Sequence, residues 1–541
     1  MRPRRFVVPG VVAALVFAVV PGVSASPPDG GPQRPDRPGS GPSAQASAQA
    51  VLAHAERAMR GQVRAAEARD GRGLTLALRD LVAAYDDLGP RDRSRAERLL
   101  ARPDDEDLGP DDLIVYESGV EPVNTCEVAP TTPSSVCVHW VTESVDAPAL
   151  QPADADGVPE YVASVREEFD HAWRRIVVEG GYRPPLPDTG GPDARLDVYL
   201  ADLGGTGYYG YCTSDDPDLQ STNTASAYCV LDNDYAPEQY GYANTPRDTM
   251  RVTAAHEFFH AVHFAYDLWE DAWLMEASSA WVEDELYDHI DDNRQFLSES
   301  PLAEPSLPLD FASETWLGEY GAWIFLRYLS ERFPEQDGTG MAVVVRDIWE
   351  RVAARGDDPG DYSIRAVAKE TASRGVRLPR LYQDFGIANR WPADSYEEGA
   401  SYKRAPVEGR LKLDADDVRR VKRWPLHLSN TTIRVVPGRE LTAKAWKARV
   451  RADLPPKRRG YGLAVTVVRR NGNVATRYVD LDADGDGRVK VRFSRKKIRR
   501  LELTLTNASR RFDCWQGTTA SCQGVAKDDG RRVKLVVRAF R

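Results

Sequence analysis

The chain has 541 residues, a formal net charge of −11, 28% charged and 42% hydrophobic residues. That balance excludes a fibrous or wholly disordered chain, and the 41 Gly and 37 Pro follow no collagen-like period. The charge is split: residues 401–541 hold 36 Lys and Arg against 14 Asp and Glu, a balance of +22, which leaves residues 1–400 at −33.

Residues 1–25 read as a signal peptide. Arg2, Arg4 and Arg5 precede an apolar run over residues 6–20, and Val23-Ser24-Ala25 supplies the small residues of a cleavage site. No later segment is apolar enough over about 18 residues to span a bilayer, so the expected product is secreted and extracellular, with no membrane span in its mature form. Residues 26–46, rich in Pro, Gly, Ser and Gln, read as a disordered linker. Residues 47–111 show helical periodicity. Val51, Leu52, Ala55 and Met59 mark one stripe, Leu74, Leu78, Leu81 and Tyr85 another, and Gly89-Pro90 breaks the pattern. This is a helical N-terminal region, either permanent or propeptide-like.

Residues 112–400 mix a few strands with many helices, an α+β pattern. Strands are expected at 136–142 and 196–203, a Gly/Tyr loop at 204–211, and helices at 159–179, 249–267, 271–287, 319–333, 341–355 and 378–388. Residues 425–541 change to short apolar strands divided by turns such as Asn471-Gly472, an all-β, sandwich-like module. This module is expected to be separable, so that a chain ending near Lys422 still folds. The acidic body argues against nucleic acid as a partner. The basic tail suits anionic cell-wall polymers, or is simply a solvated Arg-rich surface. The six Cys fall into three local couples, Cys126 with Cys137, Cys212 with Cys229 and Cys514 with Cys522, as expected of disulfides in an exported chain.

The chemistry centres on His256, Glu257 and His260, an H-E-x-x-H. Two imidazoles one helical turn apart can grip one Zn²⁺, and Glu257 beside them is placed to take a proton from a metal-activated water. A catalytic zinc needs a third protein ligand. His263 lies about 10.5 Å further along a straight helix from His256 and fails on reach, so it reads as structural or supporting. Glu276, on a second helix after a turn, is the favoured third ligand. Glu283, at i+7 on the same face, competes. Ala277, Ser278, Ser279 and Ala280 are small enough to let two helices approach closely. Asp482, Asp484, Asp486 and Gly487 spell a D-x-D-x-D-G, a weak Ca²⁺ signal. Phe493 stands where an EF-hand loop needs Glu, so a tight turn is the better reading.

HEFFH followed by WLMEASSAW resembles the gluzincin zinc metallopeptidases. With the GVPEYV stretch at 157–162 and the DVYL strand at 197–200, residues 135–390 resemble a family of secreted bacterial metalloproteases. The resemblance implies a zincin-like catalytic fold, His256, His260 and Glu276 as zinc ligands, and Glu257 as general base. Some gluzincins place an Asp four residues after the ligand Glu, but Ala280 stands there, so another group must orient a ligand His. Gluzincins often add a Tyr or His that stabilises the oxyanion. Tyr320 is the candidate here, against a plain packing role, and Tyr266 is a weaker one. The function these readings imply is a secreted zinc-dependent endopeptidase acting on polypeptide. The alternatives are a non-catalytic zincin-like wall-binding protein and a zinc amidase acting on cell-wall material.

Overall fold

Three helices come first among the described residues of the computed structural model, which describes residues 42–61, 73–109, 112, 114–117, 119–215, 223–311, 316–338, 340–353, 360–516, 518 and 520–541. The expected signal peptide and linker residues 26–41 lie outside these. Helix α1 (Pro42–Met59) starts inside the segment read as linker. Proline costs little in a first turn, and the Ala- and Gln-rich sequence after it favours helix. Leu52, Ala55 and Met59 of the expected stripe are buried, joined by Ala48, while Val51 is half-buried. Helices α2 (Leu74–Ala84) and α3 (Pro90–Leu100) follow. Leu74, Leu78 and Leu81 are buried as the periodicity predicts, but so are Thr75 and Arg79 on other faces of α2. A helix buried on most of its faces has neighbours on several sides, and only Leu76 and Asp80, one turn apart, keep a half-exposed stripe.

Strands β1 (Val123–Asn124), β2 (Val136–Trp140), β3 (Leu196–Ala201), β4 (Gly210–Thr213) and β5 (Tyr228–Asp232) form one sheet in the order β1-β2-β3-β5-β4. The pairs β2/β3 and β3/β5 are parallel, whereas β1 and β4 lie antiparallel at the edges. Helix α4 (Glu160–Trp173), extended by a π-helical turn, links β2 to β3. Gly210 and Tyr211, expected in a loop, already belong to edge strand β4. Six helices of ten or more residues follow among the described residues: α5 (Pro246–Phe264), α6 (Ala272–Tyr287), α7 (Trp323–Arg332), α8 (Val343–Val352), α9 (Ser363–Ser373) and α10 (Leu378–Ala388). Among the described residues no helix is long and apolar enough to cross a membrane.

The β-rich region begins earlier than its sequence pattern indicates. Strands β6 (Gly409–Leu413) and β7 (Val418–Arg423) precede β8 (Ser429–Pro437), β9 (Lys447–Asp453), β10 (Tyr461–Arg469), β11 (Val474–Tyr478), β12 (Asp486–Arg492), β13 (Ile498–Asn507), β14 (Phe512–Asp513), β15 (Val525–Ala526) and β16 (Val533–Phe540). One sheet runs β11-β10-β13-β8-β6, another β12-β9-β16-β7, and β14 pairs with β15. Leu463, Leu503 and Ile433 from the first larger sheet share one core with Val450, Leu535 and Val537 from the second. The three expected disulfides, Cys126–Cys137, Cys212–Cys229 and Cys514–Cys522, are all present.

The β-rich region packs closely against the body rather than standing apart from it. A chain ending near Lys422 would leave β6 without β8 and β7 without β16. Strand β13 is buried on both sides, with Leu501, Leu503 and Leu505 in the β core and Glu502 pointing away from it. Arg390, just past α10, meets the buried Glu502 through Nε at 2.8 Å and Nη2 at 3.1 Å. Asn430 donates to the Tyr382 carbonyl at 3.1 Å. A Cβ on Gly386 would come within 2.4 Å of the Asn430 side chain, so α10 and β8 touch at a glycine. His427 lies between Asp310 and Asp529, at 2.8 Å from each carboxylate.

Burial works against a charge on His427, but its two carboxylates outweigh it and raise the imidazole to about 10 from an ordinary 6.5. Burial also opposes the charge on Asp310, which His427 and Ser521 nonetheless hold below the usual carboxylate range. The stabilisation tied to the raised His427 is therefore complete below about pH 6.5 and is lost as pH rises through about 10. His427→Gln should cost about 3 kcal/mol at pH 6, by leaving the buried Asp310 carboxylate without its cation, and the difference from the native chain should shrink towards pH 10.5. Paired urea titrations at the two pH values check this.

Candidate metal centre

Helix α5 carries His256, Glu257 and His260. Thr245 caps it by accepting from the Asp248 amide at 3.2 Å, and Pro246 occupies the first turn. From Val252 to Phe264 its side chains are buried, which is why the helix lacks a clear polar stripe. Helix α6 packs against it and carries Glu276 and Glu283. Ala277, Ser278, Ser279 and Ala280 are fully buried, as a close helix contact requires. The start of α6 is held from a distance. The Asp271 carboxylate accepts from the Cys522 amide at 2.7 Å, from the Gln523 amide at 3.3 Å and from the Ser363 hydroxyl.

His256, His260 and Glu276 converge, with one ligand atom from each lying within 4.8 Å of the others. The two Nε2 atoms are 3.1 Å apart. Glu276 Oε2 is 3.2 Å from His256 Nε2, and Oε1 is 3.6 Å from His260 Nε2. All three residues are 0% exposed, and Glu276 Oε1 has no hydrogen-bond partner. Two imidazole nitrogens aimed at one point beside a buried carboxylate form a donor set that a cation would satisfy. Without one, burial of the carboxylate costs several kcal/mol. Burial, aided by the nearby Arg79 guanidinium, lowers His260 to about 3, so its ring is neutral at ordinary pH, the form that binds metal.

Glu283 is not in the cluster. Its Oε1 lies 2.6 Å from His256 Nδ1, on the far side of the ring from Glu276. It fixes the ring's tautomer and tilt, the task left open by Ala280. His263 is likewise a supporting residue. Its Nδ1 faces His260 Nδ1 at 3.4 Å, its Nε2 faces Ser278 Oγ at 3.1 Å, and Trp349 stacks on its ring at 4.1 Å. If His260 presents Nε2 to a cation, its Nδ1–H donates to His263, whose Nε2–H donates to Ser278, whose hydroxyl donates to the Leu274 carbonyl at 2.6 Å. Every proton in that chain has an acceptor.

Tyr320 stacks on His256, with centroids 6.0 Å apart, and Phe296 lies against its other side at 5.0 Å. Tyr266 is engaged elsewhere, accepting from the Arg183 amide at 3.0 Å. Glu257 is buried beneath the edge strand, and a Cβ on Gly210 would approach its Cγ to 3.4 Å. Its Oε2 accepts from the Thr75 hydroxyl at 2.8 Å, and Thr75 Oγ1 accepts from the Cys212 amide of β4 at 2.9 Å. Arg79, one turn on, donates to the Glu270 carbonyl at 2.8 Å. The sequence holds no signal for Thr75 or Asp271, whose partners stand 182 and 251 residues away.

The weak Ca²⁺ motif is a turn. Asp482 Oδ1 accepts from the amides of Asp484 at 3.1 Å and Asp486 at 2.9 Å. It is absent from the clusters with metal-ligand spacing among the described residues. Asp284, Asp288 and Glu398 have that spacing, but Arg327 pairs with Asp284 and Arg294 with Glu398. Cys126, Cys137 and Asp193 also have it, but the two cysteines are joined as a disulfide.

No protein-family model matches the chain, and no curated protein matches it significantly.

Zinc titration against a chromophoric chelator should separate the two glutamates. Glu276→Ala should weaken binding by more than about 100-fold, and Glu283→Gln by about 10- to 100-fold through loss of ring orientation. A larger loss in the Glu283 variant would move the ligand role to that residue.

Proposed function

We propose that the chain is a secreted zinc-dependent endopeptidase of gluzincin type, with a zincin-like fold over residues 112–400, in a latent form. The observation that carries this reading is the convergence of His256, His260 and Glu276 with Glu257 next to a ligand on the same helix. A zinc ion held there supplies Lewis acidity towards a peptide carbonyl and towards water. Glu257 accepts the proton of the attacking water and returns it to the leaving amine. Tyr320, stacked on His256, is the chain's own candidate for a hydrogen bond to the developing oxyanion. Three disulfides fit an oxidising, extracellular destination.

The latent form is inferred from α2. An extended peptide bound to the free side of β4 would place a carbonyl on the Cys212 amide. Thr75 Oγ1 occupies that amide and gives its own proton to Glu257, so one hydroxyl blocks both the docking group and the base. Residues 47–111 then act as an inhibitory propeptide. Arg102 anchors the region through buried contacts to Asp188 at 2.6 Å and Asp197 at 2.5 Å and a half-buried one to Asp215 at 2.6 Å. The same closed site suits a non-catalytic wall-binding protein, which would stay inert after α2 is removed. A wall amidase would open but would release products from wall fragments rather than from casein.

Glu257→Ala should keep zinc and lower peptide cleavage by about 10²- to 10⁴-fold. Near-normal turnover with bound zinc would remove the base assignment. A chain beginning at Ala101, which keeps the Arg102 contacts, should cleave casein at least about tenfold faster than the longer chain, and added peptide 73–100 should restore inhibition. Equal rates with and without residues 42–100 would show that α2 does not control access.

A further inference from the structure

The outer sheet of the β-rich region carries a charge pattern that folding alone disfavours. In the order β12-β9-β16-β7, one face supplies Val450, Leu535 and Val537 to the core, and the other faces out. On the outer face like charges sit directly opposite one another. Arg488 pairs in register with Arg451, Lys490 with Arg449, Arg492 with Lys447, and Arg449 again with Arg538 on β16. Like charges in cross-strand positions destabilise a sheet. Yet none of these seven residues makes an ion pair with any described residue, although the structure holds many ion pairs elsewhere. The acidic exceptions, Asp453 and Asp486, face each other at the end of the same two strands, and Lys534 approaches Asp453 at 3.6 Å.

We propose that this face docks a linear polyanion with a phosphodiester repeat, of the kind that cell-wall polymers present. Neighbouring strands are about 4.8 Å apart, and side chains on one face recur every 6.8 Å or so along a strand. The face is therefore a flat lattice of positive charge, matched in spacing to an extended phosphodiester chain. Its basic rows offer little for nucleic-acid bases to stack on, because the aromatic ring within the strands, Phe540, is covered by Arg449 at 4.7 Å and approached by Lys490 at 5.9 Å, and the exposed Trp424 follows β7, at the opposite edge of the sheet from β12. The apolar residues exposed at its β7 edge, Val418 and Trp424, stand at opposite ends of that strand and form no continuous ridge of the kind that enters a bilayer. The −33 balance of residues 1–400 repels the same polymer from the rest of the protein, so docking is confined to one side. This surface is independent of the proposed metal chemistry, and binding can be measured without turnover.

The test uses the full chain with three probes: poly(glycerol phosphate), a single-stranded oligonucleotide of matched charge, and phosphatidylglycerol vesicles. Poly(glycerol phosphate) should bind most tightly, with affinity falling steeply as salt rises. A variant combining Lys447→Gln, Arg451→Gln, Arg488→Gln and Arg492→Gln should bind about 30-fold more weakly or worse and flatten the salt slope by about 2 to 3. Its melting temperature should be no lower than that of the native chain, because repulsion has been removed. A control with the same charge change at the exposed Lys403, Arg404, Arg439 and Lys444, each to Gln, should lose less than about threefold. Equal losses in both variants, or tighter binding of the oligonucleotide or the vesicles, would overturn the proposal.

Discussion

Two imidazoles and a carboxylate buried at one point between α5 and α6 set the terms for the structure around them. Polar groups at zero exposure must be held by partners, because water is not available to them. Each partner occupies a defined side. Glu283 takes the far nitrogen of His256, His263 takes that of His260, and Ser278 closes the proton chain. The small residues of α6 let the helices come close enough for Glu276 Oε2 to stand 3.2 Å from His256 Nε2. Bulkier residues at 277–280 would separate the helices and scatter the cluster.

That requirement reaches far along the chain. The first turn of α6 is pinned by Asp271, whose carboxylate takes backbone amides from the disulfide-closed loop at Cys522. The C-terminal region thus helps to position the helix that carries Glu276. It also covers α10 through Arg390 and Glu502 and fastens Asp310 through His427. The two larger β sheets divide the work. The sheet containing β13 is buried against the body, and the sheet containing β9 and β12 turns its unpaired basic residues outward.

On the other side, α2 is buried on most of its faces because it fills the space above Glu257 and beside β4. Its apolar stripe explains why it docks. Thr75 and Arg79 explain where, since each gives polar contacts that only one placement satisfies. The disulfide between Cys212 and Cys229 ties the edge strand to β5 at the residue whose amide Thr75 takes.

Local features of the chain were legible without the fold. H-E-x-x-H on an apolar helix, the close cysteine couples, the α2 stripe and the strand runs after residue 425 depend on spacings of a few residues, and a helix or strand period makes them visible. The start of α1 at Pro42 was hidden because a Pro/Ser/Gln segment looks like linker until Ala48 and Leu52 find a core. Strands β6 and β7 were hidden because charged residues mask strands whose inner faces hold only Leu411 and Leu413, or Val421. Glu276 and Glu283 share a helical face, so their period could not separate them. Only the packing of α6 on α5 put one beside both Nε2 atoms and the other on Nδ1. Thr75, Asp271 and the joint between the β-rich region and the body were decided by tertiary structure alone, because a hydrogen bond across some 200 residues leaves no periodic trace in either segment that makes it.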